Sequence, residues 1–86
     1  MTSTSFRMST IEDKEPETID WIDSFEEGAC FYDIGANVGV FTLYAAKSKK
    51  CQVFSFEPSV FNLESLVRNI NINYLDKQVT IIPIPL

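Results

Sequence analysis

Tyr32-Asp33-Ile34-Gly35-Ala36-Asn37-Val38-Gly39, followed after one helix-length by Phe54-Ser55-Phe56-Glu57-Pro58, is the stretch that decides how this chain folds. Cys30 to Ile34 is a short apolar run closed by glycine, which suits a buried parallel strand. Gly35 lets the backbone turn sharply after that strand, and Gly39 lets the next helix start close to it. Asn37, between them, tolerates positive φ better than most residues with a side chain. Val38, Phe41, Thr42, Ala45 and Ala46 then recur with helical spacing and end in a turn rich in lysine. Val53 to Phe56 reads as a second strand. Pro58 stops its pairing, and Ser59 is placed to cap a helix carrying Val60, Leu63, Val67 and Ile70 on one face and running to about Tyr74. Val79 to Ile82, all β-branched, is a third strand.

Upstream, Pro16 suits a first helical turn, Glu17 suits its positive end, and Ile19, Ile22 and Phe25 make an apolar stripe, predicting a helix over 16–26 ended by Gly28. Residues 1–14, rich in Ser, Thr and charge, read as a mobile leader. The order is helix, then β-α-β-α-β. Consecutive βαβ units imply an α/β fold with parallel strands and right-handed crossovers. The chain closes on the apolar tail Ile81-Ile82-Pro83-Ile84-Pro85-Leu86, directly on a new core strand. Residues 15–86 are therefore expected to be a partial domain, truncated at its C-terminus, whose exposed first and third strand edges favour self-association.

Composition narrows the function classes. Seven basic against twelve acidic residues give a net charge of -5, which argues against a nucleic-acid or anionic-membrane partner. Lys47, Lys49 and Lys50 read as a solvated helix end. Cys30 and Cys51 form no CxxC pair and the chain has no histidine, so no metal site is expected; both cysteines are read as small buried residues, reduced in a cytosolic protein. Met1 to Arg7 lacks the apolar core of a signal peptide and no run is long enough to cross a bilayer, so a cytoplasmic, soluble protein is expected.

In an open parallel α/β sheet, ligands bind at the carboxyl ends of the strands, and the first strand–helix turn carries the cofactor. Glu57 ends the second strand, where an acid accepts hydrogen bonds from ribose hydroxyls and repels a 2′-phosphate. Two ribose ligands compete for such a site. A dinucleotide loop wants G-x-G-x-x-G, and here Asn37 and Val40 stand at its second and third glycine positions. Asp33 at the loop mouth suits an ammonium better than a phosphate. S-Adenosylmethionine, which has an ammonium and a sulfonium and no phosphate, is favoured over NAD. Each residue also has an ordinary structural reading: a tight turn for Gly35 and Gly39, a helix cap for Asp33, a solvated strand end for Glu57. Phe41, Tyr44, Phe54, Phe56 and Phe61 read as core, and Asn62, Asn69, Asn71 and Asn73 as helix-surface and helix-end residues.

The segments Asp33-Ile34-Gly35-Ala36-Asn37-Val38-Gly39 and Phe56-Glu57-Pro58, with Asn62, Leu66 and Asn69 on the following helix and Val79-Thr80-Ile81-Ile82-Pro83, resemble the FkbM-type methyltransferases of the class I S-adenosylmethionine-dependent superfamily. Glu15-Pro16-Glu17 is similar to an acidic-proline element ahead of that family's first strand. The resemblance implies the N-terminal half of a seven-stranded Rossmann-like sheet. It implies that Asp33, Gly35, Asn37 and Gly39 line the methionine and ribose side of the cofactor, that Glu57 takes the ribose hydroxyls, and that Glu15 approaches the methionine end. It also implies methyl transfer to a hydroxyl oxygen of a sugar, glycan or other small-molecule acceptor. No catalytic base is identified, because Asp33 and Glu57 are committed to the cofactor; the acceptor pocket is expected on sequence outside this chain. The competing reading is a non-catalytic, truncated nucleotide-binding or interaction module.

Overall fold

The computed structural model describes residues 16–85; the expected leader, Glu15 and Leu86 lie outside the described residues. Within them the elements are α1 (Pro16–Asp23), β1 (Cys30–Ile34), α2 (Val40–Ser48), β2 (Gln52–Phe56), α3 (Val60–Ile72) and β3 (Val79–Ile82). The three strands form one parallel sheet in the order β1-β2-β3, with Phe31 opposite Val53 and Val53 opposite Val79. The expected α/β order and parallel pairing are those observed. The first helix is shorter than the 16–26 expected. After Asp23 the backbone tightens, with Ser24 and Phe25 donating to the carbonyls of Trp21 and Ile22 at 3.0 Å each. Gly28 (φ 82) lies beyond the helix and donates to the Lys49 carbonyl at 2.7 Å.

Both crossovers run in the same direction across the sheet, so right-handedness puts α2 and α3 on the same face. Ile22, Phe31, Leu43, Val53, Leu66, Ile70 and Val79 meet there in one core cluster. Trp21 and Phe25 of the α1 segment stack edge-on and tilted against Phe31, with centroids 5.7 and 5.4 Å away. On the other face Tyr32 and Ile34 are 59% and 53% exposed, and Tyr32 rests against Phe54 and Phe56. β1 is thus buried on one side only, which corrects the expectation of a strand buried on both. Its apolar composition supplies a second face that no helix of the described residues covers.

The phase of α3 also differs from the reading of its sequence. Val60 and Val67 are exposed, whereas Leu66, Asn69 and Ile70 are buried. Phe61, expected in the core, is 89% exposed. The Ser59 cap fixes where the helix starts, its side chain accepting from the Asn62 amide, and that start turns Leu66 toward Gly39. A Cβ at Gly39 would lie 2.5 Å from Leu66 Cδ1, so the loop and α3 touch without a side chain between them. Cys51 is buried as expected but Cys30 is exposed, because it sits on the open face; burial pushes the Cys51 thiol up. Among the described residues no helix is long and apolar enough to cross a membrane, and no group of metal-ligating side chains occurs.

The phase of α3 is directly testable. Leu66→Ala is expected to destabilise the fold by about 2–5 kcal/mol, as a buried large-to-small change does. Val60→Ala should stay within about 0.5 kcal/mol because its side chain faces water. Urea unfolding followed by circular dichroism distinguishes this phase from one in which both residues are core.

Candidate functional site

Gly35, Asn37 and Gly39 all take positive φ, at 69°, 55° and 99°. These left-handed residues fold 35–39 back over the ends of β1 and β2. There, the amides of Gly35 and Ala36 both donate to the Phe56 carbonyl, at 2.9 and 3.0 Å, and the Gly39 amide donates to the Ala36 carbonyl at 2.9 Å. Asn69 pins the far side of the loop, its side-chain amide donating to the Val38 carbonyl at 2.8 Å.

Glu57 is buried against this loop. Its Oε1 accepts from the Asn37 amide at 2.7 Å, while Oε2 accepts from the Ser59 amide at 3.0 Å and from Asn62 Nδ2 at 3.3 Å. These bonds, the Ser59 amide foremost, hold the Glu57 carboxyl below its ordinary value despite the opposing effect of burial. The group is therefore an ionised, oriented acceptor, more constrained than a solvated strand end.

Asp33 points from β1 to the helix-covered side and is buried. Burial pushes its carboxyl up, the hydroxyl and backbone amide of Thr42 oppose that shift, and the negative charge of Glu57 adds to it. Gly39 holds the N-cap position of α2, and Asp33 accepts from both the hydroxyl and the first-turn backbone amide of Thr42, so it helps to satisfy the start of that helix from β1. Asp33 in β1 and Glu57 just past β2 set two buried acids beside a left-handed loop. Such a pair favours a cation and hydroxyl donors over a phosphate.

The structure brings together Asp33, Gly35, Asn37, Gly39 and Glu57. Glu15 lies outside the described residues. Thr42, Ser55, Asn62 and Asn69 join the site without having been singled out for it: Thr42 reads as one more member of an apolar stripe, and the asparagines as surface. Polarity in a buried phase is the signal that identifies them. Ser55 alternates with Val53 toward the covered face, and Asn62, Leu66 and Asn69 share one side of α3.

No family model and no curated protein matches the chain. Solved structures do. P. horikoshii TYW2 in complex with MeSAdo has a TM-score of 0.72 at 20% identity, over 81% of this chain and 26% of that one. Coclaurine N-methyltransferase bound to N-methylheliamine and SAH gives 0.64 at 23% identity, over 77% of this chain and 21% of the other. PRMT6 gives 0.71 at 21% identity, over 96% and 25%. These neighbours are class I S-adenosylmethionine-dependent methyltransferases, and the fold shared with them is the N-terminal half of a Rossmann-like methyltransferase. The chain spans between 21% and 26% of the length of these three proteins.

The two acids should affect folding in opposite ways. The contribution of Glu57 is present above the ordinary glutamate value of 4.5 and is lost as pH falls through its lower folded value. Asp33 runs the other way: its contribution is present below 3.8 and is lost as pH rises through its raised folded value. Thermal unfolding at neutral pH should show Glu57→Gln destabilised by about 1–3 kcal/mol and Asp33→Asn stabilised. Both differences should shrink in acid.

Proposed function

We propose that this chain forms the S-adenosylmethionine-binding part of a methyltransferase of the FkbM type, and that residues 15–86 act as a partial domain of it. The observation that carries this reading is the way the glycine loop spends its amides. A loop that binds a pyrophosphate must present free N–H groups to it. Here the amides of Gly35, Ala36, Asn37 and Gly39 already bond to Phe56, Glu57 and Ala36 within the protein, and the flanking side chains are acids. The same pair of acids suits a ligand with a ribose, an ammonium and no phosphate.

In this reading Glu57 takes the ribose hydroxyls and Asp33 faces the methionine ammonium. Gly35, Asn37 and Gly39 shape the wall along the ligand, with Glu15 near its methionine end. When bound, the cofactor supplies an electrophilic methyl on a sulfonium. This chain's own residues bind it, orient it and keep water away from its ribose and amine. The proposed acceptor is a hydroxyl oxygen of a sugar or other small molecule, in a cytoplasmic protein that does not act on nucleic acid. A second reading, binding without transfer, draws support from the commitment of both buried acids to loop and hydroxyl contacts, which leaves neither as a base.

Calorimetric titration of S-adenosylmethionine and of NAD into the chain tests the assignment. Saturable heat with S-adenosylmethionine alone, weakened at least about tenfold by Asp33→Ala and by Glu57→Ala, is the expected result; the loss of a charged partner is worth that much or more. Binding of NAD with equal or greater affinity, or none of either ligand to a folded chain, overturns the reading.

A further inference from the structure

Between β1, α2 and β2 lies a buried line of three oxygen atoms. Thr42 Oγ1 is 2.6 Å from Asp33 Oδ2 and 2.7 Å from Ser55 Oγ. Thr42 and Ser55 are both fully buried. Hydroxyls in such a place cost stability unless each is bonded, and apolar side chains of the same size would fill the space without that demand. Thr42 has a single hydrogen and gives it to Asp33, so the hydrogen between Thr42 and Ser55 must come from Ser55. The direction is therefore fixed: Ser55 donates to Thr42, and Thr42 donates to the carboxylate. Each bond polarises the next toward Asp33.

We propose that Thr42 and Ser55 are positioning residues, a two-hydroxyl relay that orients the Asp33 carboxylate for the amine of the bound ligand. This rests on the reading of Asp33 as the partner of the methionine ammonium. The relay occupies one lone-pair position on Oδ2, and a carboxylate offers about four, so capacity for the amine remains. Among the described residues, the charged group acting on Asp33 is Glu57, just beyond β2. The facing stretch of α2, Val40 to Ala46, carries no Asp, Glu, Lys or Arg, and β2 presents Ser55. Loss of the Thr42 hydroxyl therefore leaves only the Thr42 backbone amide to oppose burial and Glu57, and Asp33 takes up its proton at a higher pH.

The experiment is calorimetric titration of the folded chain with S-adenosylmethionine and with methylthioadenosine, which keeps the adenosine and sulfur but lacks the amino-acid portion. Wild type, Thr42→Val, Thr42→Ser and Ser55→Ala are compared between about pH 5 and pH 8. Thr42→Val should weaken S-adenosylmethionine about five- to tenfold and move the acid limb of its binding to higher pH. It should leave methylthioadenosine within about twofold, and Thr42→Ser should restore wild-type behaviour. Ser55→Ala should act in the same direction with a smaller effect. If Thr42→Val retains the wild-type affinity and acid limb, or weakens both ligands equally, the relay is structural and the proposal is overturned. If circular dichroism shows Thr42→Val unfolded, Ser55→Ala decides: an unmoved acid limb overturns it. Wild type that binds neither ligand removes the site assignment itself, which is a separate failure.

Discussion

The carboxylate of Glu57, just past the end of β2, joins the first turn of α3, through Ser59 and Asn62, to the left-handed loop at Asn37, twenty residues away in the chain. Each of these contacts is a donor that the carboxylate needs if it is to stay ionised while buried, and each donor in turn is fixed by the carboxylate. The positive φ at Asn37 is held in this way, since a non-glycine residue in that conformation carries strain unless its surroundings stabilise it. The start of α3 follows from the same group, and with it the rotation that turns Leu66 onto Gly39. The position of the loop and the packing of the core are thus consequences of one acid at a strand end.

The second acid has the opposite character. Asp33 is buried beside a negative neighbour with one hydroxyl and one amide, both of Thr42, as its donors, and burial pushes its carboxyl up. The two carboxylates differ in their surroundings: Glu57 has three donors from the protein, whereas Asp33 has two, both from Thr42, set against burial and a negative neighbour. Pairs whose surroundings push their titrations apart are a recurring mark of binding and catalytic sites.

Much of this was readable from the residues, for reasons that differ by element. β1 and β3 are legible because short apolar runs bounded by Gly, Pro or Asp admit few alternatives at their length. The glycine spacing and Glu57 are legible because the order of strands dictates where a loop and an acid meet. The face of α3 is only partly legible: Ile70 is buried as expected, but Val60 and Val67 are apolar and exposed, and the cap at Ser59 and the contact with Gly39 bring in Leu66. Hydrophobicity alone gives the period of a helix and leaves its phase to tertiary contacts. Thr42 and Asn69 escaped for a related reason. Their role depends on partners nine and thirty-one residues away, and a local window contains neither partner.

The open face of the sheet follows from the same rules that build the site. Because both crossovers are right-handed and proceed in one direction, α2 and α3 can cover only the face that carries Phe31, Val53 and Val79, and Ile22 of α1 joins the same core. On the other face Tyr32 packs across the strands on Phe54 and Phe56, with centroids 5.4 and 5.9 Å away. Aromatic contacts across a strand pair contribute fractions of a kcal/mol each, well below what burial under a helix contributes. Among the described residues helices cover one face of the sheet only, which leaves a thin stability margin, and the candidate site lies at the carboxyl ends of those strands. Rigidity at the loop then draws on local bonds: Glu57 holds the Asn37 amide and Asn69 holds the Val38 carbonyl. In a fold with both faces packed, fewer would serve; here the hydrogen bonds around Glu57 carry positional information that the sheet by itself does not supply.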